Sequence, residues 1–163
     1  MAPRIAVVAL AVLASLAAPP AAAAQDGADW PEGSAMHTAH LMAARRDVAD
    51  TGLQAAHEAL LAQVKSGGLD HMGTRLPVAL QEAHVAWLAY RAPSCELFGA
   101  ATGAGGMWPT VQALECENEV TEQRLRAVRD ALACILALPV GERAAMQGEC
   151  LFALAPRLPS SGA

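Results

Sequence analysis

The chain has 163 residues, 54 % of them hydrophobic but only 4 % aromatic, so it holds one domain's worth of alanine-rich, thinly cored protein. Its 16 acidic residues outnumber 11 basic ones, for a net charge of −5, which argues against nucleic acid or an anionic membrane as partner and favours a basic protein.

The first 24 residues predict a cleaved signal peptide. Arg4 precedes an uncharged apolar run from Ile5 to Ala18, and Pro19-Pro20 and small residues follow. The run is shorter than the roughly 18 to 20 apolar residues that span a bilayer, so an anchor is not expected, and Ala22 and Ala24 place the cut before Gln25. No later segment predicts membrane insertion. Cleavage leaves 139 of the 163 residues, with 10 basic against 16 acidic side chains and hence a net charge of −6.

Residues 25–33 read as a flexible leader. Ser34 is a predicted N-cap for a first helix that runs to Gly67-Gly68, with an apolar stripe of Leu41, Ala44, Val48, Gly52, Ala55, Ala56, Leu60 and Val64. Thr74 caps a second helix with Pro77 in its first turn, carrying Leu76, Leu80, Ala83, Trp87, Leu88 and Tyr90 toward Cys95; Pro93 is expected to kink or finish it. Gly99 to Gly106 reads as a loop. Pro109 opens a third helix to about Leu138, with a heptad-like seam of Leu114, Asn118, Thr121, Leu125, Val128, Leu132 and Ile135. A short helix from Glu142 to about Leu154 closes the chain before Pro156 and Pro159. The expected class is all-α: a small disulfide-linked bundle of three to four helices, with a main domain over 34–138 and a short helix and tail over 139–163.

Cys95, Cys116, Cys134 and Cys150 make an even count in a chain read as exported, which predicts two disulfides and a periplasmic or secreted location. Neither CxxC nor HxxxH spacing is present, so the cysteines are not read as metal ligands. Cys116 and Cys134 lie 18 residues apart, five whole helical turns, and so leave the third helix on one face about 27 Å apart. Neighbour pairing follows: Cys95 with Cys116 across the glycine loop, and Cys134 with Cys150.

The segment His84-Val-Ala-Trp87-Leu-Ala-Tyr90-Arg91-Ala-Pro-Ser-Cys95, followed by Cys116 with Thr121 at +5 and Arg124 at +8, resembles a known family, and Asp50, Leu53 and Leu60 match its upstream helix. The family is the LprI-type lysozyme-inhibitor-like domain of bacterial envelope proteins, and the resemblance covers about residues 40–132. It implies a helical, exported binding module that inhibits a lysozyme by occluding it. The alternative is an envelope structural or accessory domain without an enzyme target. This sequence departs from the family where His84 stands for Gln, His57 for an aromatic and Ala92 for an acid. It lacks the amino-terminal Cys expected near Leu41, and Cys134 and Cys150 look like an added pair.

Within the motif, Trp87, Tyr90, Arg91, Thr121 and Arg124 are read as structural, holding the helix pair together, with Arg91 stacked on Trp87 one turn back. An Arg beside a cross-link needs a carboxylate, and Glu96, Glu117 and Glu119 are the expected partners. Glu115, Glu119 and Glu122 share one face of the third helix. They form either a docking ridge for a basic enzyme or an ordinary solvated face that continues into Arg126 and Arg129. Met36, His37, His40 and Met42 have the softness for a copper(I) ligand set and make a His/Met metal binder the third reading, ranked last because they sit beside the leader; no metal site and no cofactor is assigned. No nucleophile–base pairing or phosphate-binding loop is legible, and no enzymatic activity is expected.

Overall fold

The computed structural model describes residues 30–66 and 75–155; the signal segment, Gly67-Gly68, Thr74, Pro156 and Pro159 lie outside the described residues. Four α-helices follow in order: α1 (Ala35–Ser66), α2 (Arg75–Ala101), α3 (Trp108–Ala137) and α4 (Arg143–Leu151), with a 3-10 turn at Phe152–Leu154. No strand occurs among the described residues. The class is all-α, as the periodicity predicts.

Each boundary has a local cause. At the start of α1, Ser34 Oγ accepts the His37 N–H at 3.2 Å, as a Ser N-cap does. Pro109 sits in the first turn of α3, where its missing N–H costs nothing. At the far end of α3, the Arg143 guanidinium donates to the carbonyls of Leu136 and Leu138, satisfying acceptors that the helix leaves free and complementing its negative pole.

The helices run up, down and up. α3 is the central element and packs along α1, α2 and α4, while α1 and α2 touch over a smaller area. The apolar core joins Leu53, Leu60 and Val64 of α1 to Leu80 of α2, Val128, Ala131 and Ile135 of α3, and Cys150 and Leu151 of α4. The two disulfides are Cys95–Cys116 and Cys134–Cys150, the neighbour pairing that the five-turn spacing predicts.

Three sequence expectations need correction. The stripe buried on α1 is Ala49, Leu53, His57, Leu60 and Val64; Val48 is 76 % exposed and Leu41 46 %. The assignment is one residue out of phase over the first half of α1, because alanine there gives the helix little contrast between faces. Second, Pro93 does not end α2, which continues to Ala101. The segment beyond it is fixed to α3 by the Cys95–Cys116 bridge and by Gly99, where a Cβ would lie 2.2 Å from the Pro109 carbonyl oxygen. The loop is therefore shorter than the glycine run suggests, with Gly103 and Gly106 at φ +65° and +62° reversing the chain into α3. Third, Ala83, Leu88 and Tyr90 lie on the outer face of α2, where His84, Cys95 and Gly99 are the buried residues instead.

Candidate functional site

Where α1, α2 and α3 meet at mid-height, the packing turns polar. Arg91 of α2 reaches across to Asp50 of α1 with both terminal nitrogens, one of them 3.1 Å from Asp50 Oδ2, and also donates to Thr121 Oγ1 of α3 at 2.7 Å. Thr121 Oγ1 in turn donates to the Glu117 carbonyl oxygen at 2.6 Å. A two-pronged Arg–carboxylate contact fixes orientation as well as charge, so one guanidinium ties three helices together. The partner of Arg91 is thus Asp50, not Glu96, Glu117 or Glu119. The Glu117 carboxylate goes instead to Arg46, 3.4 Å away, while Glu96 and Glu119 are exposed.

One turn below, Trp87 lies within cation–π range of two guanidiniums, Arg91 at 5.5 Å and Arg124 at 5.8 Å from the ring centre. Arg124 differs from Arg91. Among the described residues it pairs with no carboxylate, and its single hydrogen bond runs from Nη1 to the Leu154 carbonyl oxygen at 3.0 Å; its Nε, like that of Arg91, is buried without a partner. Burial lowers its pKa from the ordinary arginine value, since nothing negative offsets the loss of water.

These side chains border a cleft of about 430 Å³ between α2 and α3, lined by Trp87, Tyr90, Arg91, Ser94, Gln123 and Arg124 with the Cys95–Cys116 bridge behind them. Four of the motif residues therefore meet at one place, and Thr121 supports them from beneath. Tyr90 does not sit in the helix interface as its motif role suggests. It stands at the rim, 68 % exposed.

Deeper still, His57 of α1 and His84 of α2 stack face to face, with ring centres 3.8 Å apart and planes within 8°. Only His57 has a hydrogen-bond partner, Gln81 Oε1 at 3.2 Å; both ring nitrogens of His84 are buried without one. Sequence reasoning treats the two as isolated departures from a family pattern. Their separation, with each at a buried register of its helix, is the signal that could have paired them.

The remaining candidates lie elsewhere. Glu115, Glu119 and Glu122 are all exposed and none lines the cleft; Glu122 faces Arg126 at 3.7 Å on the same helix. His37 accepts the Gly33 N–H at Nδ1, and the His40 ring packs 5.8 Å from that of Trp30. No cluster of three metal-ligating His, Cys, Asp or Glu side chains forms among the described residues.

A family model described as "Lysozyme inhibitor LprI" matches residues 29–128. That span holds α1, α2, the cleft and most of α3, and stops short of the Cys134–Cys150 bridge. No curated protein and no solved structure matches the chain.

Proposed function

The chain belongs to the LprI lysozyme-inhibitor family, and from that premise we propose that it is an exported binding module that inhibits a lysozyme by occluding the enzyme. The family match carries this reading. Two disulfides suit an oxidising compartment, and no helix among the described residues is long and apolar enough to cross a membrane.

Electrostatics support a basic partner. Glu115, Glu119 and Glu122 are exposed along α3, with Glu115 nearest the Gly103–Gly106 turn and Glu122 facing Arg126, on a chain of net charge −5. Complementary charge of this kind raises the rate of encounter more than it raises affinity, and salt weakens it. The three glutamates are proposed as the docking ridge, and the motif residues as the frame that holds it.

The purified protein should protect cell-wall peptidoglycan from at least one lysozyme at stoichiometric amounts. Reversing the three glutamates to Lys should slow association while leaving the fold intact. Unchanged hydrolysis by chicken-type, goose-type and invertebrate-type lysozymes alike would remove inhibition and leave the accessory-domain reading.

A further inference from the structure

The cleft between α2 and α3 has a use that occlusion by an acidic ridge leaves untouched. It is concave, whereas a surface that plugs an enzyme's groove must project. It is lined by the motif side chains rather than by the glutamates, and about 430 Å³ lies within the range of roughly 300 to 1,000 Å³ typical of small-molecule sites.

Its chemistry is specific. Arg91 has a carboxylate partner in Asp50 and also donates to Thr121, so its charge is offset within the fold although its Nε is buried without a partner. Arg124 differs in its charge: it has no carboxylate partner among the described residues and one hydrogen bond, through Nη1. A guanidinium held half-dry without a counter-ion costs stability unless something negative completes it. Beside it lie the Trp87 ring, the exposed Tyr90 ring at the rim, the Ser94 hydroxyl and the Gln123 amide. Aromatic faces next to hydrogen-bonding side chains suit a ring that is apolar on its face and polar at its edge.

We propose that this cleft binds a small acidic sugar, its carboxylate on Arg124 and its ring against Trp87 and Tyr90. Phosphate alone would use the charge but not the aromatic walls, and a neutral sugar would use the walls but not the charge. The site does not depend on lysozyme inhibition, so either reading can fail without the other.

The test is a titration of the full-length mature protein followed by NMR, reading the indole signal of Trp87 and the Nε signal of Arg124. N-acetylmuramic acid and N-acetylglucosamine make the decisive pair, since they share a ring and differ by the carboxylate-bearing side arm. The acidic sugar should bind about tenfold more tightly, the contribution of one charge-assisted hydrogen bond. Arg124→Gln should erase that preference. Because it also removes the bond to Leu154, Tyr90→Ala serves as the second variant: its exposed ring is not needed for folding, and its loss should weaken both sugars while preserving their ratio. Equal binding of the two sugars by the wild type would overturn the proposal. So would the absence of any shift at Trp87, or an acid preference that survives in Arg124→Gln.

Discussion

At the end of the bundle closed by Cys134–Cys150, Leu60, Val64, Leu80 and Ile135 interlock in an apolar core, with Gln147 of α4 also buried at that end. Toward the Cys95–Cys116 end the same three helices meet through Arg91, Asp50, Thr121, Asn118 and small residues such as Ala49, Ala113 and Gly99. The first end could be built from many apolar combinations. The second allows fewer, since Arg91, Asp50 and Thr121 depend on one another across three helices, while Asn118 Oδ1 and Arg91 Nε are buried there without a partner. The cleft opens at the polar end, where Trp87, Arg91 and Arg124 meet.

Truncation at each end measures the contrast. Leu60 is fully buried, so Leu60→Ala should destabilise the fold by about 3 to 5 kcal/mol in denaturant unfolding, combining lost transfer energy with an unfilled cavity. A loss below about 1 kcal/mol would mean the apolar end collapses around the gap and is looser than its packing suggests.

Arg91→Met tests the polar end and should cost about 3 kcal/mol, since it removes the two-pronged partner of Asp50 and leaves it only Arg46, 4.0 Å away. The value sits at the low end for a broken ion pair because the Asp50 side chain is 33 % exposed. The sharper readout is the cycle with Asp50→Asn. If the pair acts as a unit, the double variant should be more stable than the sum of the two single losses predicts. Strict additivity would reduce the Arg91–Asp50 contact to a surface ornament.

The same contrast decides how much could be read from the sequence. Helix number, the disulfide pairing and the Arg91–Trp87 stack follow from period and spacing alone, because each relates residues along one helix or across one short loop. The Asp50–Arg91 pair, 41 residues apart, does not. It needs the phase of α1 against α2, and the alanine-rich first half of α1 leaves that phase ambiguous by one residue. With Ala49, Leu53 and Leu60 rather than Val48 and Gly52 taken as the buried stripe, Asp50 falls beside the core and Arg91 finds its carboxylate. Pro93 misleads for a different reason: local helix breaking is real, but a cross-link two residues later and the close approach at Gly99 override it.

The stacked imidazoles lie between the two ends and give the smallest effect. Burial, the neighbouring His57 and Arg124 hold the His84 pKa down to about 4, from an ordinary value of 6.5. Burial also lowers His57, helped by Arg124 and opposed by its bond to Gln81 and by Glu58. Both rings are therefore neutral in the folded protein near neutral pH. Between 6.5 and about 4 the unfolded chain binds more protons than the folded one, so stability is full above that window and falls as the pH drops through it. From pH 7 to pH 5, His84 alone should account for a loss of about 2 kcal/mol. Carboxylates also titrate toward the lower limit, so the wild-type profile by itself does not isolate the pair. His84→Leu does, because it removes two buried nitrogens that have no partners and should cost little at pH 7. Thermal unfolding of the two proteins across this range should diverge as the wild type acidifies. Parallel curves would show that water reaches the imidazoles, and that the boundary between the apolar and polar ends is wetter than their stacking implies.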